Sequence, residues 1–506
     1  MNIFKKIFSS ENGEVKKDGE HKYCGPVSAG ALSEIFSDCY DYNQRKIYVG
    51  GDESRQVVLC YIDGLVSGDQ IADDVIKPLT DKFRFQDVKS KETIDMLMGG
   101  LVYGASVKER DDISDVIDDL LCGYCCLVFE KEKKAITFET KTPEKRSIDL
   151  PKEEKVSKGS KDAFIEVIRS NSTLIRRKMK NPDLKFKELV VGKDTKTTVS
   201  VAYIKDFTNM DIVNEAVRRL EAIETEGILT AAALEENIVD YPKTPFPQII
   251  NTERPDKFCV NLLEGRVGIL VDGLPIGYLV PGTFTQFFKV PEDIANHFAV
   301  ASMLTILRYM ALLITLLLPA FYVAVAMYHQ EMLPTKLMQS IIDSKQSVPF
   351  PTAFEVITML LAFELLQEAG LRLPNPIGET VSIIGGIIVG QSAVDAKVVS
   401  PVVVIVVAVA GIAGYTMPNL DMAAALRLSR LFLVICALFA GIFGVAIGCA
   451  MLLYHLCSLE SFGVAYMTPF AGAEGKHISR AVLRYPAKEM KLREPALGTK
   501  SGDGEE

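Results

Sequence analysis

From Tyr309 to Gln330 the chain runs 22 residues without an Asp, Glu, Lys or Arg. That length is enough to cross the roughly 30 Å hydrocarbon core of a bilayer, where a helix satisfies its own backbone N–H and C=O groups. Two further runs follow, Val398 to Leu420 (23 residues) and Leu431 to Leu459 (29 residues), the last long enough to tilt. Up to Arg308 the pattern differs: Lys, Glu and Asp are frequent, and apolar residues recur at strand and helix spacing. The expected fold class is an α+β soluble N-terminal half followed by an α-helical multi-pass membrane domain. Met1 to Ser10 lacks the apolar stretch of a secretory leader, so the first insertion signal is expected near residue 310.

Thr380 to Val394 is also uncharged, but at 15 residues it is short for an ordinary span. It holds Gly385, Gly386, Gly390, Ser382, Gln391 and Ser392, and Asp395 follows it. Small and polar residues at membrane depth belong against a bundle interior or water. Ile384, Ile388, Gln391 and Asp395 recur at steps of four, three and four, which places them along one helix face. Gly386 and Gly390, with Gly385 beside them, would let another backbone approach closely. In a ring of subunits Ile384 and Ile388 would form a hydrophobic constriction and Asp395 an acidic ring favouring cations. A tight packing seam, with Asp395 reaching the interface, explains the same residues equally well.

Phe354 to Ala369 is interrupted by Glu355, Glu364 and Glu368, which do not share one face and so fit a re-entrant or interfacial helix better than a lipid-facing span. With no Trp, interfacial anchoring falls to Tyr309, Tyr328, Tyr415 and Tyr454. The tail from Glu474 to Glu494 carries six Lys or Arg against three acids, which places both termini in the cytoplasm and requires an even number of crossings. Four are expected, at about 309–330, 380–396, 398–420 and 431–459.

The soluble half matches itself at an offset of 142 residues. Val57 to Asp63 falls on Val199 to Lys205, and Leu120 to Gly123 on Leu262 to Gly265, with six identities in eleven positions and no drift between the matches. Each match has a β-rich run ending in Tyr-Ile, then an amphipathic helix (Asp69 to Leu79; Met210 to Ile223), and later Leu-Leu-x-Gly entering a strand. Two duplicated α+β subdomains are expected, at 30–140 and 161–295, after a flexible segment 1–29 and with a solvated linker 141–160 between them. The membrane domain is then 296–462 and the cytoplasmic tail 463–506. Prolines between Tyr241 and Lys257 predict an ordered loop or contact arm there.

Several chemistries find no support. The net charge of −9, with no basic block interleaved with aromatics, argues against nucleic acid as a partner. Ten cysteines at irregular spacing form no disulfide framework, and Cys122-Gly-Tyr-Cys125 lacks the second pair or His of a zinc site. Gly192-Lys193 and Gly475-Lys476 lack the rest of a phosphate-binding loop. Glu364 and Glu368 stand without a nucleophile or metal set and read as vestibule or intersubunit acids rather than catalytic ones. No enzyme and no cofactor is expected.

The order N-T-E-R-P-D-K (251–257), G-R-V-x-I-L-V-D (265–272), H-Q-x-x-L-P-T (329–335), V-P-F-P (348–351), E-A-G-L-R-L-P-N-P-I-G (368–378) and G-G-x-x-x-G-Q-x-A-V (385–394) resembles the A subunit of the GerA family of spore germinant receptors. The resemblance covers about residues 30 to 490. It implies a multi-pass subunit of a nutrient sensor in the bacterial spore inner membrane, with its N-terminal domain cytoplasmic. The implied partners are a transporter-like B subunit carrying the nutrient pocket, a lipoprotein C subunit and further copies of itself, as a pentamer conducting monovalent cations. The 380–396 helix would then line the pore, and Glu253, Arg254 and Asp256 of the first motif become candidates for subunit contact. Glu379 stands where a Gln is common in relatives, adding an acid near the pore mouth. A non-conducting scaffold, a secondary transporter with its site at the Pro374 to Gly378 break, and the stage V sporulation paralogue remain as alternatives.

Overall fold

A computed structural model of the chain describes residues 22–53, 55–81, 85, 90–101, 106–142, 151, 154, 156, 158–372, 390–471, 478–486 and 493–499. The first soluble unit is built on a five-stranded sheet of β1 (Tyr42–Tyr48), β2 (Gln56–Ile62), β3 (Val107–Arg110), β4 (Tyr124–Phe129) and β5 (Lys134–Glu139). The strands lie in the order β1-β2-β4-β5-β3, every neighbour antiparallel. Its helices are α1 (Ala29–Ile35), α2 (Gly68–Gln70 running on through Ile71–Ile76 and Lys77–Thr80), α3 (Ser90–Met96) and α4 (Ile113–Leu121). Alternation along β2 decides which layer each covers. Val58, Cys60 and Ile62 face Leu32 of α1, Phe36 just after it, and Val116 and Leu120 of α4, whereas Val57 and Leu59 face Ile71, Val75 and Leu79 of α2.

The second sheet consists of β6 (Leu184–Val191), β7 (Thr197–Ile204), β8 (Ile250–Thr252), β9 (Val267–Val271) and β10 (Gly277–Val280), with α5 (Ile168–Lys178), α6 (Met210–Glu221), α7 (Ala231–Ile238) and α8 (Pro255–Glu264) around it. Its order is β6-β7-β9-β10-β8, strand for strand that of the first. Register agrees as well. Val58↔Val128, Leu59↔Leu127 and Cys60↔Cys126 correspond to Ser200↔Leu270, Val201↔Ile269 and Ala202↔Gly268, each residue 142 further on. The same step carries Leu127↔Ile136 into Ile269↔Tyr278.

One expectation for this region changes. Residues 250–252 form the edge strand β8 and α8 begins at Pro255, so the last part of the expected loop is regular structure, while 241–249 is irregular as its prolines require. A proline is tolerated at the first helical position because its missing N–H would have no partner there.

The apolar region holds α9 (Pro291–Ala295), α10 (Phe298–Tyr328), α11 (Thr335–Lys345), α12 (Thr352–Arg372), a helical turn at 390–395, α13 (Pro401–Gly414) and α14 (Leu420–Ser458). A short hairpin of β11 (Glu460–Ser461) and β12 (Val464–Ala465) follows, then α15 (Ile478–Val482). Two of these helices, α10 with 31 residues and α14 with 39, are long and apolar enough to cross a membrane, while α13 is shorter, at 14 residues. Helix α12 is continuous for 21 residues and enters the bundle core, where Val356, Met359 and Leu360 pack with Val323, Val403 and Leu433.

The structure breaks α14 where the sequence reads as one uninterrupted run. Ala440 (φ −139°, ψ 18°) and Gly441 (φ 56°, ψ −138°) leave helical geometry, the latter in a region open to glycine. A Cβ on Gly444 would lie 2.1 Å from the carbonyl oxygen of Cys436, and one on Gly448 2.8 Å from Leu433 Cδ2. Such contacts require the second leg to fold back along the first. Helix α14 is therefore a hairpin.

Candidate functional site

Of the residues expected along the pore face, Gly390, Gln391 and Asp395 are described; Ile384, Ile388, Gly385, Gly386 and Glu379 lie outside the described residues. Gln391 Nε2 donates to Asp395 Oδ1 at 3.0 Å, and both side chains are exposed. Gly390 is buried, and a Cβ there would sit 3.3 Å from Val404 Cγ1 of α13. The glycine side of this turn thus packs on the bundle, while the polar side is open.

The acids of α12 meet different surroundings. Glu364 Oε1 accepts from Arg430 Nη2 at 2.7 Å, and its Oε2 lies 3.4 Å from Arg427 Nη1. Arg430 is 5% exposed, so its charge is held within the bundle by one carboxylate. Glu355 is 1% exposed; its Oε2 accepts from the Ser400 backbone N–H at 2.7 Å, which fixes the start of α13, and Lys345 Nζ stands 3.9 Å from Oε1. Glu368 lies one turn beyond Glu364 on the same helix. Arg427 and Arg430 escape the sequence reading because they precede the uncharged run beginning at Leu431. Their signal is the pairing of a basic i, i+3 couple with an acid in a neighbouring apolar helix.

The motif at 251–257 works inside the chain. Arg254, 1% exposed, donates from Nε and Nη2 to the two oxygens of Asp256 at 3.1 and 2.6 Å, and from Nη1 and Nη2 to the carbonyls of Glu154 and Ser160 at 3.2 and 2.9 Å. Glu253, half-buried, accepts at its carbonyl from Phe164 N–H at 2.8 Å. This guanidinium stitches residues near 154–160 to the start of α8.

Around the same subdomain lies the junction with the apolar helices. Asn251 Nδ2 donates to Asp421 Oδ2 at 3.1 Å in the first turn of α14, and Thr244 Oγ1 lies 2.8 Å from His455 Nε2 in its last turn. Ser461 just beyond accepts from Gly282 N–H at 3.2 Å and donates to the Gln248 carbonyl at 2.8 Å. Both feet of the hairpin are thereby fastened to the second subdomain. Arg308 of α10 is held by Asp293 through bonds of 2.6 and 2.9 Å, and Tyr309 stacks on Phe288 at 4.7 Å. Glu235 of α7 faces Asp421, and burial first, then that like charge, pushes its carboxyl up to about 7.

Burial also pushes the Cys125 thiol up to about 12, the setting of an inert core cysteine. Among the described residues no group of His, Cys, Asp and Glu could hold a metal ion.

The profile of the Bacillus/Clostridium GerA spore germination protein family matches residues 30–496. The chain belongs to the GerA family. Spore germination protein B1 of Bacillus subtilis strain 168 is 37% identical over 443 residues, which are 88% of this chain and 91% of that protein. Spore germination protein KA of the same organism is 36% identical over 87% of this chain and 81% of its own length. Spore germination protein GerLA of Bacillus cereus is 34% identical over 91% and 93%. A crystal structure of the N-terminal domain of the A subunit of the Bacillus megaterium spore germinant receptor GerK3 aligns with a TM-score of 0.41 at 29% identity, covering 50% of this chain and 93% of that one. Within this GerA-family chain the 251–257 motif forms β8 and the start of α8, and the 265–272 motif forms β9.

Proposed function

We propose that this chain is the A subunit of a spore nutrient germinant receptor, and that copies of it surround an axis in the spore inner membrane to form a nutrient-gated channel for monovalent cations. Its soluble half is a duplicated pair of subdomains on the cytoplasmic side. A transporter-like B subunit binds the nutrient and a lipoprotein C subunit completes the complex. The observation that carries this reading is the fastening of both feet of the α14 hairpin to the second subdomain. A tilt of that subdomain must move the bundle against which the Gly390 turn packs, which is the differential contact that two-state gating requires.

The test is conduction. Chain reconstituted in liposomes with its partner subunits should pass potassium on nutrient addition, and Ile384→Ser or Ile388→Ser should leak without nutrient. If those variants assemble normally and remain tight, with or without nutrient, the channel reading is lost.

A further inference from the structure

Beside the first turns of α10 lies a cavity of about 350 Å³ between α8, α9 and the C-terminal segment around Arg484 and Arg493. Its wall is partly apolar, with Val260, Val290, Ile294 and Val482. Five cationic side chains, Lys158, Lys257, Lys289, Arg484 and Arg493, stand around it with four acids. Three of those acids are held by arginines outside the wall: Asp256 by Arg254 at 2.6 Å, Asp293 by Arg308 at 2.6 Å, and Glu264 by Arg266 at 3.5 Å. Of the cations, Lys257 is taken up by Glu154 at 2.6 Å, Lys289 shares Glu264 with Arg266 at a longer 3.7 Å, and Arg493 lies over the Phe207 ring at 4.9 Å, a contact that leaves its charge uncancelled. Arg484 spends its Nη groups on the carbonyls of Asn296 and Ile294, which leave its charge uncancelled, and its buried Nε has no hydrogen-bond partner. What faces the cavity is a surplus of positive charge beside an apolar wall. Thr305, in α10 just before its uncharged run, also lines it.

We propose that this cavity binds an anionic phospholipid of the leaflet next to the soluble half, its phosphate among Lys158, Lys289, Arg484 and Arg493 and its glycerol and upper acyl chain along Val260, Val290 and Ile294. A neutral headgroup would leave the surplus charge unmatched, and a free phosphate would leave the apolar wall uncovered. Basic pockets beside membrane helices attract acidic headgroups at about 1 kcal/mol per Lys or Arg near the surface. The inference requires α10 to lie in a bilayer and is independent of conduction.

Purified full-length chain in neutral detergent is offered phosphatidylglycerol and phosphatidylcholine of identical acyl chains, and retained lipid is counted by native mass spectrometry. Phosphatidylglycerol should be retained in about tenfold excess, and the combined Lys158→Gln, Lys289→Gln and Arg493→Gln variant, which leaves the Arg484 contacts in place, should lose that excess. The thermal midpoint of the variant without lipid reports that it is folded. Equal retention of the two lipids by the wild type, or an excess that survives the substitutions in folded protein, overturns the proposal. Millimolar inorganic phosphate that raises the thermal midpoint as much as phosphatidylglycerol does, with no lipid excess, reassigns the cavity to a free anion and also overturns it.

Discussion

A Cβ on Gly268 would lie 2.1 Å from Phe258 Cζ, and one on Gly277 2.7 Å from Cδ2 of the same ring. The corresponding residues 142 positions earlier are Cys126, Ala135 and Val116, all fully buried in the first unit. The two sheets therefore fill one space in two ways: a large helix residue over two glycines, or a smaller one over side chains. Gly268→Ala should destabilise the second subdomain by about 1–3 kcal/mol through overpacking, and Phe258→Val in the same chain should recover part of that loss. Thermal unfolding of the single and double variants measures this, and additive losses would refute the shared-space account. Charge in the bundle follows a related logic. Glu364→Gln strips Arg430 of its carboxylate and should cost about 2–4 kcal/mol, whereas Glu364→Leu with Arg430→Met should cost less than either change alone, because no unpaired buried charge remains. A double-mutant cycle by thermal unfolding in detergent reads the coupling.

At the scale of elements, the hairpin in α14 is the feature most open to a direct test. In a straight helix residues 436 and 448 would stand about 18 Å apart. Here the Cβ built on Gly448 lies 3.4 Å from that of Cys436, close to the separation a disulfide spans. Gly448→Cys should protect Cys436 from alkylation under oxidising conditions, with protection reversed by reductant; unchanged labelling of Cys436 would show the helix to be straight. This hairpin also marks where the sequence stops being legible. The 142-residue offset is visible because each copy keeps a tyrosine near the end of a strand (Tyr61 and Tyr203), a leucine pair near the end of a helix, and after it a glycine at positive φ, where other residues are strained (Gly123 and Gly265). The break at Gly441 is not, because an apolar run with glycines at 441, 444 and 448 satisfies a packing seam and a fold-back turn equally. The partners of Glu364 escape for another reason: hydropathy separates Arg427 and Arg430 from the span that follows, although one helix holds them all. Gln391 and Asp395 share a face as their spacing requires, since four residues return a helix to the same side.

Across the whole membrane-linked unit, the like charge of Asp421 beside Glu235 makes the attachment of α14 to the second subdomain sensitive to pH. Asn251 lies between the two carboxyls, donating to Asp421, while Glu236 adds a further like charge and the buried Tyr278 hydroxyl stands close by. Because the folded protein holds the Glu235 proton up to about pH 7, whereas the unfolded chain releases it near 4.5, the native state binds more protons between those values. Stability from this group is therefore complete below pH 4.5 and declines as pH rises through 7, by about 1–3 kcal/mol in all. Glu235→Gln should remove that slope and leave the chain more stable than wild type above pH 7, as thermal midpoints taken from pH 5 to pH 8 would record. A wild-type slope that persists in the variant would place the titration elsewhere. The direction matters for the gating proposed above, because Asp421 opens the leg of α14 that carries Arg430. Loss of the Glu235 proton adds a like charge facing Asp421 at the foot of the hairpin, so alkaline conditions should loosen the tie between the second subdomain and the bundle.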